Sequence, residues 1–219
     1  MTKPAKPAKR IGMYGGAFDP PHNAHVALAK AAVEQLGLDA LHVIPTGHAW
    51  HKAQHLTIGF HRLEMAERAF AGIPGLVVDQ REVLRTGPTY SLDTLRELQA
   101  ENPEAQLYLV MGADQAASLP TWSHFDEIAK IAIICVAERA KSVSQGGSNT
   151  TGKTRSEPEL ISYTSTLNSL NCRAIHIELP IMLQSATDVR DLVLNHKTIS
   201  HLLPPSVVAY IEAHHLYQA

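Results

Sequence analysis

The chain is poor in cysteine, and this scarcity limits what can hold the fold together. Only Cys135 and Cys172 occur among its 219 residues, which is too few for a disulfide framework. Disulfide-dense scaffolds are typical of small secreted domains, so we interpret both cysteines as reduced thiols of a cytoplasmic protein. Cys135 lies within the apolar run 131–136, and we expect it to be a core thiol.

Long hydrophobic runs and an excess of charge of one sign are also missing. No segment approaches the roughly 18 consecutive apolar residues of a membrane-spanning helix, so we expect no membrane partner. The formal net charge is −2, which excludes the overall basic field of a non-specific nucleic-acid binder. The basic stretch at the N-terminus lacks the apolar centre of a secretory signal, and we expect residues 1–10 to form a disordered tail.

Apolar runs alternate with helical patterns along the rest of the chain. This order predicts an α/β fold, a Rossmann-like parallel sheet with helices on both faces. Ser91 is a candidate N-cap, and Pro204 and Pro205 fit the start of the last helix. The expected strands are 11–14, 40–44, 76–78, 107–111, 131–136 and 174–177, and the expected helices are 26–36, 58–70, 92–100, 126–130, 188–195 and 206–214.

One segment departs from this alternation. Residues 141–171 are dominated by Ser, Thr, Gly and Asn, a composition that cannot bury enough apolar surface to offset the entropy of ordering it. We expect a flexible surface insertion within a single domain that spans residues 11–219. A lid over the active site is an alternative, but a tolerated insertion is favoured.

The segment Gly15 to His25 is the most informative part of the sequence. It follows a strand-like run and precedes a helical pattern, so the order along the chain is a strand, a glycine turn and the start of a helix. A helix start offers free backbone N–H groups and the positive end of the helix dipole, both of which favour a phosphate. His22 and His25 add side-chain donors at the same place, and the segment therefore predicts a nucleotide phosphate site.

Other polar segments follow later strands of the predicted sheet. Parallel sheets bind ligands outside the carboxyl ends of their strands. We therefore expect one polar crevice built from several loops, in preference to scattered surface loops. The segments that would line it are Gly15-Gly16, Pro45-Thr46-Gly47, Gly112-Ala113-Asp114 and Ser185-Ala186-Thr187.

Several short motifs follow one another along the chain: Gly15 to His25, His51-Lys52 with Thr57 and Arg62-Leu63-Glu64-Met65, Tyr90 to Leu95, Met111 to Asp114 with Trp122, and Ser185 to Arg190. In this set and order the chain resembles the bacterial nicotinate-nucleotide adenylyltransferases of the nucleotidyltransferase superfamily. The resemblance spans roughly residues 11–215 without the Ser/Gly-rich insertion. Ala24 stands where the signature has glycine, Trp50 where relatives usually carry proline, and Gln184 where the last motif usually opens with isoleucine.

The resemblance implies transfer of AMP from ATP to nicotinate mononucleotide, which gives nicotinate adenine dinucleotide and pyrophosphate in NAD biosynthesis. It implies catalytic roles for His22, His25, Lys52 and Arg190. The residues implied for ATP are Gly15, Gly16, Ala17, Phe18, His22, His25, Gly112, Asp114, Ser185, Thr187 and Arg190. Those implied for the nicotinate nucleotide are Gly16, Lys52, Thr89, Tyr90 and Trp122, with backbone N–H groups near Thr89 and Trp122 receiving the carboxylate.

Mg²⁺ is the implied cofactor, bound mainly through the ATP phosphates and not by a dedicated set of protein ligands. A zinc site at His48, His51 and His55 is a disfavoured alternative, because these residues lie in a loop with no cysteine. Arg190 has an alternative partner in Asp188, and Asp19 is interpreted as a turn residue.

Two other functions stay open at this point. One alternative is the same reaction with nicotinamide mononucleotide or phosphopantetheine as the acceptor, since the choice of nicotinate follows from the resemblance alone. The other alternative is a non-catalytic regulator that binds a nucleotide. The sequence leaves the oligomeric state undecided, with a homo-oligomer among the options.

Overall fold

The computed structural model describes residues 8–47, 56–139, 167, 172–180, 182 and 184–218. Six parallel strands form one sheet in the order β3-β2-β1-β4-β5-β6. The predicted Rossmann-like α/β fold is confirmed. The strands are β1 (Arg10–Gly16), β2 (Ala40–Pro45), β3 (Leu76–Val78), β4 (Gln106–Gly112), β5 (Ala132–Arg139) and β6 (Ala174–Leu179).

Helices connect most of the strands. Ser91 was expected as an N-cap, but it is the first residue of its helix and Tyr90 holds the extended cap position. The first helix begins earlier than predicted because His22 is its N-cap. The helices are α1 (Asn23–Leu36), α2 (Gly59–Phe70), α3 (Arg81–Leu84), α4 (Ser91–Glu101), α5 (Ala113–Ser118), α6 (Phe125–Ile131), α7 (Ala186–Leu194) and α8 (Pro205–Ala213).

The sheet separates two hydrophobic clusters, as the alternation of side chains along a strand requires. In β1, Met13 belongs to the cluster covered by α4 and α6, and Tyr14 belongs to the one covered by α1, α2, α7 and α8. Cys135 is buried in the same cluster as Tyr14, which confirms the expected core thiol. Burial raises the pKa of this thiol to about 12.

The strand order reverses between β1 and β4. Connections leave the sheet in opposite directions at this point, which opens a crevice outside the carboxyl ends of the two strands. Gly15 and Gly16 end β1, and Gly112 ends β4. The fold therefore brings two of the glycine segments to the edge where a ligand is expected.

Several expectations concern parts of the chain that the structure does not describe. Lys52, with the three histidines of the zinc alternative, lies outside the described residues, as do residues 1–7 and nearly all of 141–171. The first strand begins one residue before the predicted boundary, at Arg10, whose guanidinium donates to the Leu36 carbonyl at 2.7 Å. In the described part of the chain, none of the helices combines the length and the apolarity that crossing a membrane requires.

Candidate active site

The turn between β1 and α1 has a constrained backbone. Phe18 has a φ of 48°, in the left-handed region that residues other than glycine rarely adopt. The residue is 1% exposed, and its ring packs edge-on against Tyr14 and His25, with ring centroids 5.3 Å and 5.1 Å away. Such conformations persist where surrounding contacts fix them, and they cluster at functional sites.

The two histidines of this turn lie against each other. The rings of His22 and His25 stack with centroids 3.6 Å apart. The backbone N–H of His22 donates to Nδ1 of His25 at 3.1 Å. A ring nitrogen that accepts a hydrogen bond carries no proton, so neutral His25 holds its proton on Nε2 and offers it as a donor.

Arg190 reaches the same turn from α7. Its Nη1 donates to the Asp19 carbonyl at 2.7 Å, and its Nη2 donates to the Thr187 hydroxyl at 3.2 Å. In the described part of the chain, the side chain of Asp188, the alternative partner, bonds with Ser185. The Ser185 hydroxyl caps α7, accepting from the Asp188 amide at 3.1 Å and donating to its carboxylate at 2.6 Å.

A cavity of about 390 Å³ contains these groups, and we call it the histidine cavity. Three of the four segments expected to build one crevice line it, at the ends of β1 and β4 and at the start of α7. The fourth segment, Pro45-Thr46-Gly47, does not, and its Thr46 lines a separate cavity, because β2 and β4 lie on opposite sides of β1. The histidine cavity brings together every residue that the resemblance assigns to ATP: Gly15, Gly16, Ala17, Phe18, His22, His25, Gly112, Asp114, Ser185, Thr187 and Arg190.

A second cavity, of about 290 Å³, lies on the other side of the glycine turn, and we call it the aromatic cavity. Tyr90 and Trp122 line it, together with Thr89. The two cavities share the wall formed by Gly15, Gly16 and Ala17. Of the residues expected to bind the acceptor, only Lys52 lies outside the described residues.

Trp122 occupies the expected cavity, but its own amide is already used. This N–H donates to the Leu119 carbonyl at 3.0 Å, which closes the short 3₁₀ helix Leu119–Thr121. The indole N–H donates to the Ser118 hydroxyl at 3.3 Å. The expectation that backbone N–H groups near Trp122 receive a carboxylate is therefore wrong for the Trp122 amide itself.

Glu82 is a buried carboxylate of the aromatic cavity that the sequence analysis missed. It accepts a hydrogen bond from the Thr94 hydroxyl at 2.8 Å. Burial raises the pKa of Glu82, while Thr94, Arg85, the Gly47 amide and Thr89 act in the opposite direction. A Cβ on Gly47 would lie 1.9 Å from the Glu82 carbonyl oxygen, so only glycine fits at this contact between the segment after β2 and helix α3.

Arg62 is a second residue whose role the sequence analysis did not assign. Its side chain is buried, and its residue is only 2% exposed. The guanidinium donates to the carbonyls of Thr57 at 2.8 Å, Ala17 at 2.9 Å and Gly47 at 3.3 Å. Burial lowers the pKa of Arg62, and the charges of Asp19, Tyr217 and Glu82 oppose this shift. Arg62 therefore joins three loops beneath the shared wall.

Comparison with known proteins agrees with this geometry. Residues 13–192 match the model of the cytidylyltransferase-like family. The chain is 46% identical over 213 residues to the probable nicotinate-nucleotide adenylyltransferase of Albidiferax ferrireducens, with 96% of this chain and 98% of that protein covered. It is 39% identical to the probable nicotinate-nucleotide adenylyltransferase of Methylibium petroleiphilum, with 97% and 94% covered.

A solved structure shows a similar fold. The nicotinic acid mononucleotide adenylyltransferase of Plasmodium falciparum complexed with NaAD aligns with a TM-score of 0.71, covering 95% of this chain and 97% of that one. The sequence identity is 18%, so this likeness is a likeness of fold alone.

Proposed function

Since the chain belongs to the cytidylyltransferase-like family, we propose that it transfers AMP from ATP to nicotinate mononucleotide, giving nicotinate adenine dinucleotide and pyrophosphate. The observation that carries the proposal is the pair of cavities that meet at Gly15–Ala17. One cavity has the donors that a triphosphate needs, and the other has aromatic walls for a pyridine ring. The similarity to the two probable nicotinate-nucleotide adenylyltransferases extends over nearly the whole chain.

The histidine cavity is assigned to ATP. The acceptor's phosphate oxygen forms a bond to the α-phosphorus of ATP, and the bond to the bridging oxygen breaks with its electron pair leaving on pyrophosphate. The attacking oxygen needs little help from a base, so positioning and fixed positive charge supply most of the rate enhancement. His22 and His25 donate to phosphate oxygens, and Arg190 adds permanent charge with a forked geometry.

The remaining donor contacts come from the loops around these side chains. At the start of α1, the amides of Asn23 and His25 already donate to the carbonyls of Leu202 and His22, both at 2.9 Å, so the expected set of free N–H groups at this helix start is reduced. The backbone donors proposed for the phosphates are therefore those of Gly15 to Phe18 and of Ala24, which line the cavity. Ser185 and Thr187 place the start of α7 across the cleft, and Gly112 and Asp114 form the wall from β4. Lys52 is proposed as a further cation that contacts both substrates.

The aromatic cavity is assigned to nicotinate mononucleotide. Trp122 stacks on the pyridine ring, and Tyr90 forms the opposite part of the wall. Since the Trp122 amide is used, the carboxylate is received by the Thr89 backbone and by the amides of Ser91 and Leu92. These two residues begin α4 and precede the Asp93 amide, which already donates to the Tyr90 carbonyl at 3.1 Å. Ser91 lies in the first turn of α4 and lines the cavity.

Mg²⁺ fits this site as a companion of the triphosphate. Among the described residues, no group of three or more His, Cys, Asp or Glu side chains is arranged to hold a metal ion. Asp114 lines the histidine cavity, whereas the carboxylate of Asp19 accepts hydrogen bonds from Thr57 and Tyr217. Mg²⁺ would therefore be held by phosphate oxygens and water, where it offsets the negative charge of ATP.

Residues 11–219 are proposed to form one domain. The C-terminal helices α7 and α8 pack on the same side of the sheet as α1 and α2, and they contribute to the same hydrophobic cluster. Arg190 of α7 also completes the histidine cavity. The C-terminal segment is thus part of the domain that binds ATP.

Pyrophosphate release tests the function directly. The purified chain is incubated with ATP and Mg²⁺, and nicotinate mononucleotide, nicotinamide mononucleotide and phosphopantetheine are offered in separate reactions. We expect kcat/KM to be highest with nicotinate mononucleotide. Equal or faster turnover of another acceptor would contradict the proposed substrate, and ATP binding without turnover of any acceptor would identify a non-catalytic regulator.

A further inference from the structure

Asp19 connects three separate parts of the chain in the turn between β1 and α1. The residue is 3% exposed. One carboxylate oxygen accepts a hydrogen bond from the Thr57 amide at 3.0 Å, and the other accepts one from the Tyr217 hydroxyl at 2.7 Å. Its carbonyl accepts Nη1 of Arg190 at 2.7 Å. Asp19 is therefore more than the turn residue that its neighbouring prolines indicate.

Tyr217 lies close to the C-terminus and is held in an unusual backbone conformation. Its φ is 63°, which is costly for a bulky residue and persists where surrounding contacts fix it. Its ring packs against the hydrophobic cluster under α2, and its hydroxyl lies 3.8 Å from the sulfur of Met65. These contacts fix the position of the hydroxyl that meets Asp19.

The charge environment keeps this hydroxyl a donor. Burial, the charge of Asp19 and the hydrogen bond to Asp19 raise the pKa of Tyr217, against smaller opposing contributions from Thr57 and Arg190. A protonated phenol beside a buried carboxylate forms a charge-assisted hydrogen bond. Loss of the phenolic oxygen would leave one buried carboxylate oxygen without that donor, at a cost the loop can reduce by moving.

We propose that Tyr217 is a positioning residue for phosphate binding, a role that rests on the proposed function. Its hydroxyl fixes the Asp19 carboxylate, and this fixes the Asp19 carbonyl that orients Arg190 in the histidine cavity. The same contact restrains the segment that runs into His22. The segment that follows α8 thereby sets the geometry of the catalytic turn without touching either substrate.

The chain provides a matched control for this contact. Tyr210 of α8 also forms one phenolic hydrogen bond, at 2.9 Å to Nδ1 of His61, and it lies on the same hydrophobic cluster. It lines neither of the two cavities. Tyr217→Phe and Tyr210→Phe therefore remove the same group from the same part of the fold, but only the first removes a contact to the catalytic turn.

Steady-state kinetics and thermal unfolding of the full-length variants separate positioning from stability. For Tyr217→Phe we expect kcat to fall about tenfold, because small misplacement of a catalytic group is costly. We expect the KM for nicotinate mononucleotide to stay unchanged, because the aromatic cavity is not altered. Tyr210→Phe should keep the full kcat and lower Tm by less than Tyr217→Phe does, because its partner is a histidine ring nitrogen and not a buried carboxylate.

A double variant tests whether Tyr217 acts through Asp19. If both residues act through one hydrogen bond, Asp19→Asn with Tyr217→Phe should lower kcat no further than the more harmful single change. Additive losses, or a Tyr217→Phe variant that loses Tm but keeps its kcat, would overturn the proposal. A Tyr217→Phe variant that does not fold would overturn it as well, since the hydroxyl would then be needed for stability.

ATP affinity in the absence of an acceptor distinguishes failure of this inference from failure of the proposed function. Calorimetric titration of ATP with Mg²⁺ should show weaker binding to Tyr217→Phe than to Tyr210→Phe, whichever acceptor the protein uses. Equal affinities together with equal kcat values would contradict the positioning role. An unaltered chain that binds ATP but does not use nicotinate mononucleotide would contradict the proposed function alone.

Discussion

His25 illustrates how one backbone contact sets the chemistry of a side chain. Because its Nδ1 accepts the His22 amide, the proton of neutral His25 is on Nε2, where a phosphate oxygen can accept it. The stacked ring of His22 supports this orientation from one side, and the edge of Phe18 supports it from another. The pair is pre-arranged before substrate binds, which is what electrostatic catalysis requires.

Replacement of His25 by alanine should therefore lower kcat by about 100-fold, the usual cost of removing one donor to a transition-state oxygen. Rates of pyrophosphate release for His25→Ala and the unaltered chain measure this effect. His176→Ala is the control, because His176 is an exposed histidine of β6 outside both cavities. Unchanged turnover of His25→Ala would remove the residue from the mechanism.

Sequence reasoning assigned roles to several residues of short motifs, but it assigned none to Arg62, which begins a matched motif, and it missed Tyr217 altogether. His22, His25 and Arg190 stand in recognisable patterns, and the structure places them in one cavity. Arg62 and Tyr217 bind groups up to 45 and 198 residues away in the chain. No local sequence pattern predicts such contacts, because their partners are backbone carbonyls or a carboxylate in another loop.

At the scale of elements, the edge of the sheet next to the aromatic cavity is held by a charged network. Asp79 directly follows β3. Its carboxylate accepts hydrogen bonds from Nδ1 of His42 at 3.0 Å and from Nε of Arg81 at 2.8 Å. Arg81 also pairs with Glu101 at the end of α4, at 3.0 Å. Burial alone would raise the pKa of Asp79, but the hydrogen bonds from His42 and Arg81 and the charge of Arg81 lower it well below its usual range.

This shift predicts how stability depends on pH. A carboxyl whose pKa is lower in the folded state stabilises the fold above its unfolded pKa of about 4, and this contribution is lost as the pH falls below that value. Asp79→Asn should therefore cost about 2 kcal/mol at pH 7. The difference in free energy of unfolding between the variant and the unaltered chain should shrink as the pH falls below about 4.

Denaturant unfolding at a series of pH values measures this difference. Asp191→Asn serves as the control, because Asp191 is an exposed residue of α7, and it should change the stability little at any of these pH values. A difference for Asp79→Asn that stays constant down to pH 2 would show that the carboxylate is not the stabilising group.

Element boundaries show where sequence patterns stop being informative. The strands were predicted to within a few residues because each is a short apolar run in a two-sided sheet. Helix α3 and helix α5 were not predicted, because at 4 and 6 residues they are too short for a helical period to be visible. The start of α1 was placed too late because His22 is an uncommon N-cap residue.

At the scale of the whole molecule, the order of the strands explains why the site lies where it does. Alternating strands and helices predict a parallel sheet, and a parallel sheet predicts a crevice at the carboxyl ends of its strands. The sequence could not show that two cavities share one glycine wall. That arrangement depends on the reversal between β1 and β4 and on the return of α7 to the β1 turn.

The central claim is that the chain transfers AMP, so that the acceptor's phosphate attacks the α-phosphorus of ATP and pyrophosphate leaves. ATP labelled with ³²P at either the α or the γ position, incubated with nicotinate mononucleotide and Mg²⁺, tests this claim most directly. We predict that the α label appears in the dinucleotide and the γ label appears only in pyrophosphate. A γ label in the nucleotide product, or an α label that never leaves the ATP pool, would contradict the account.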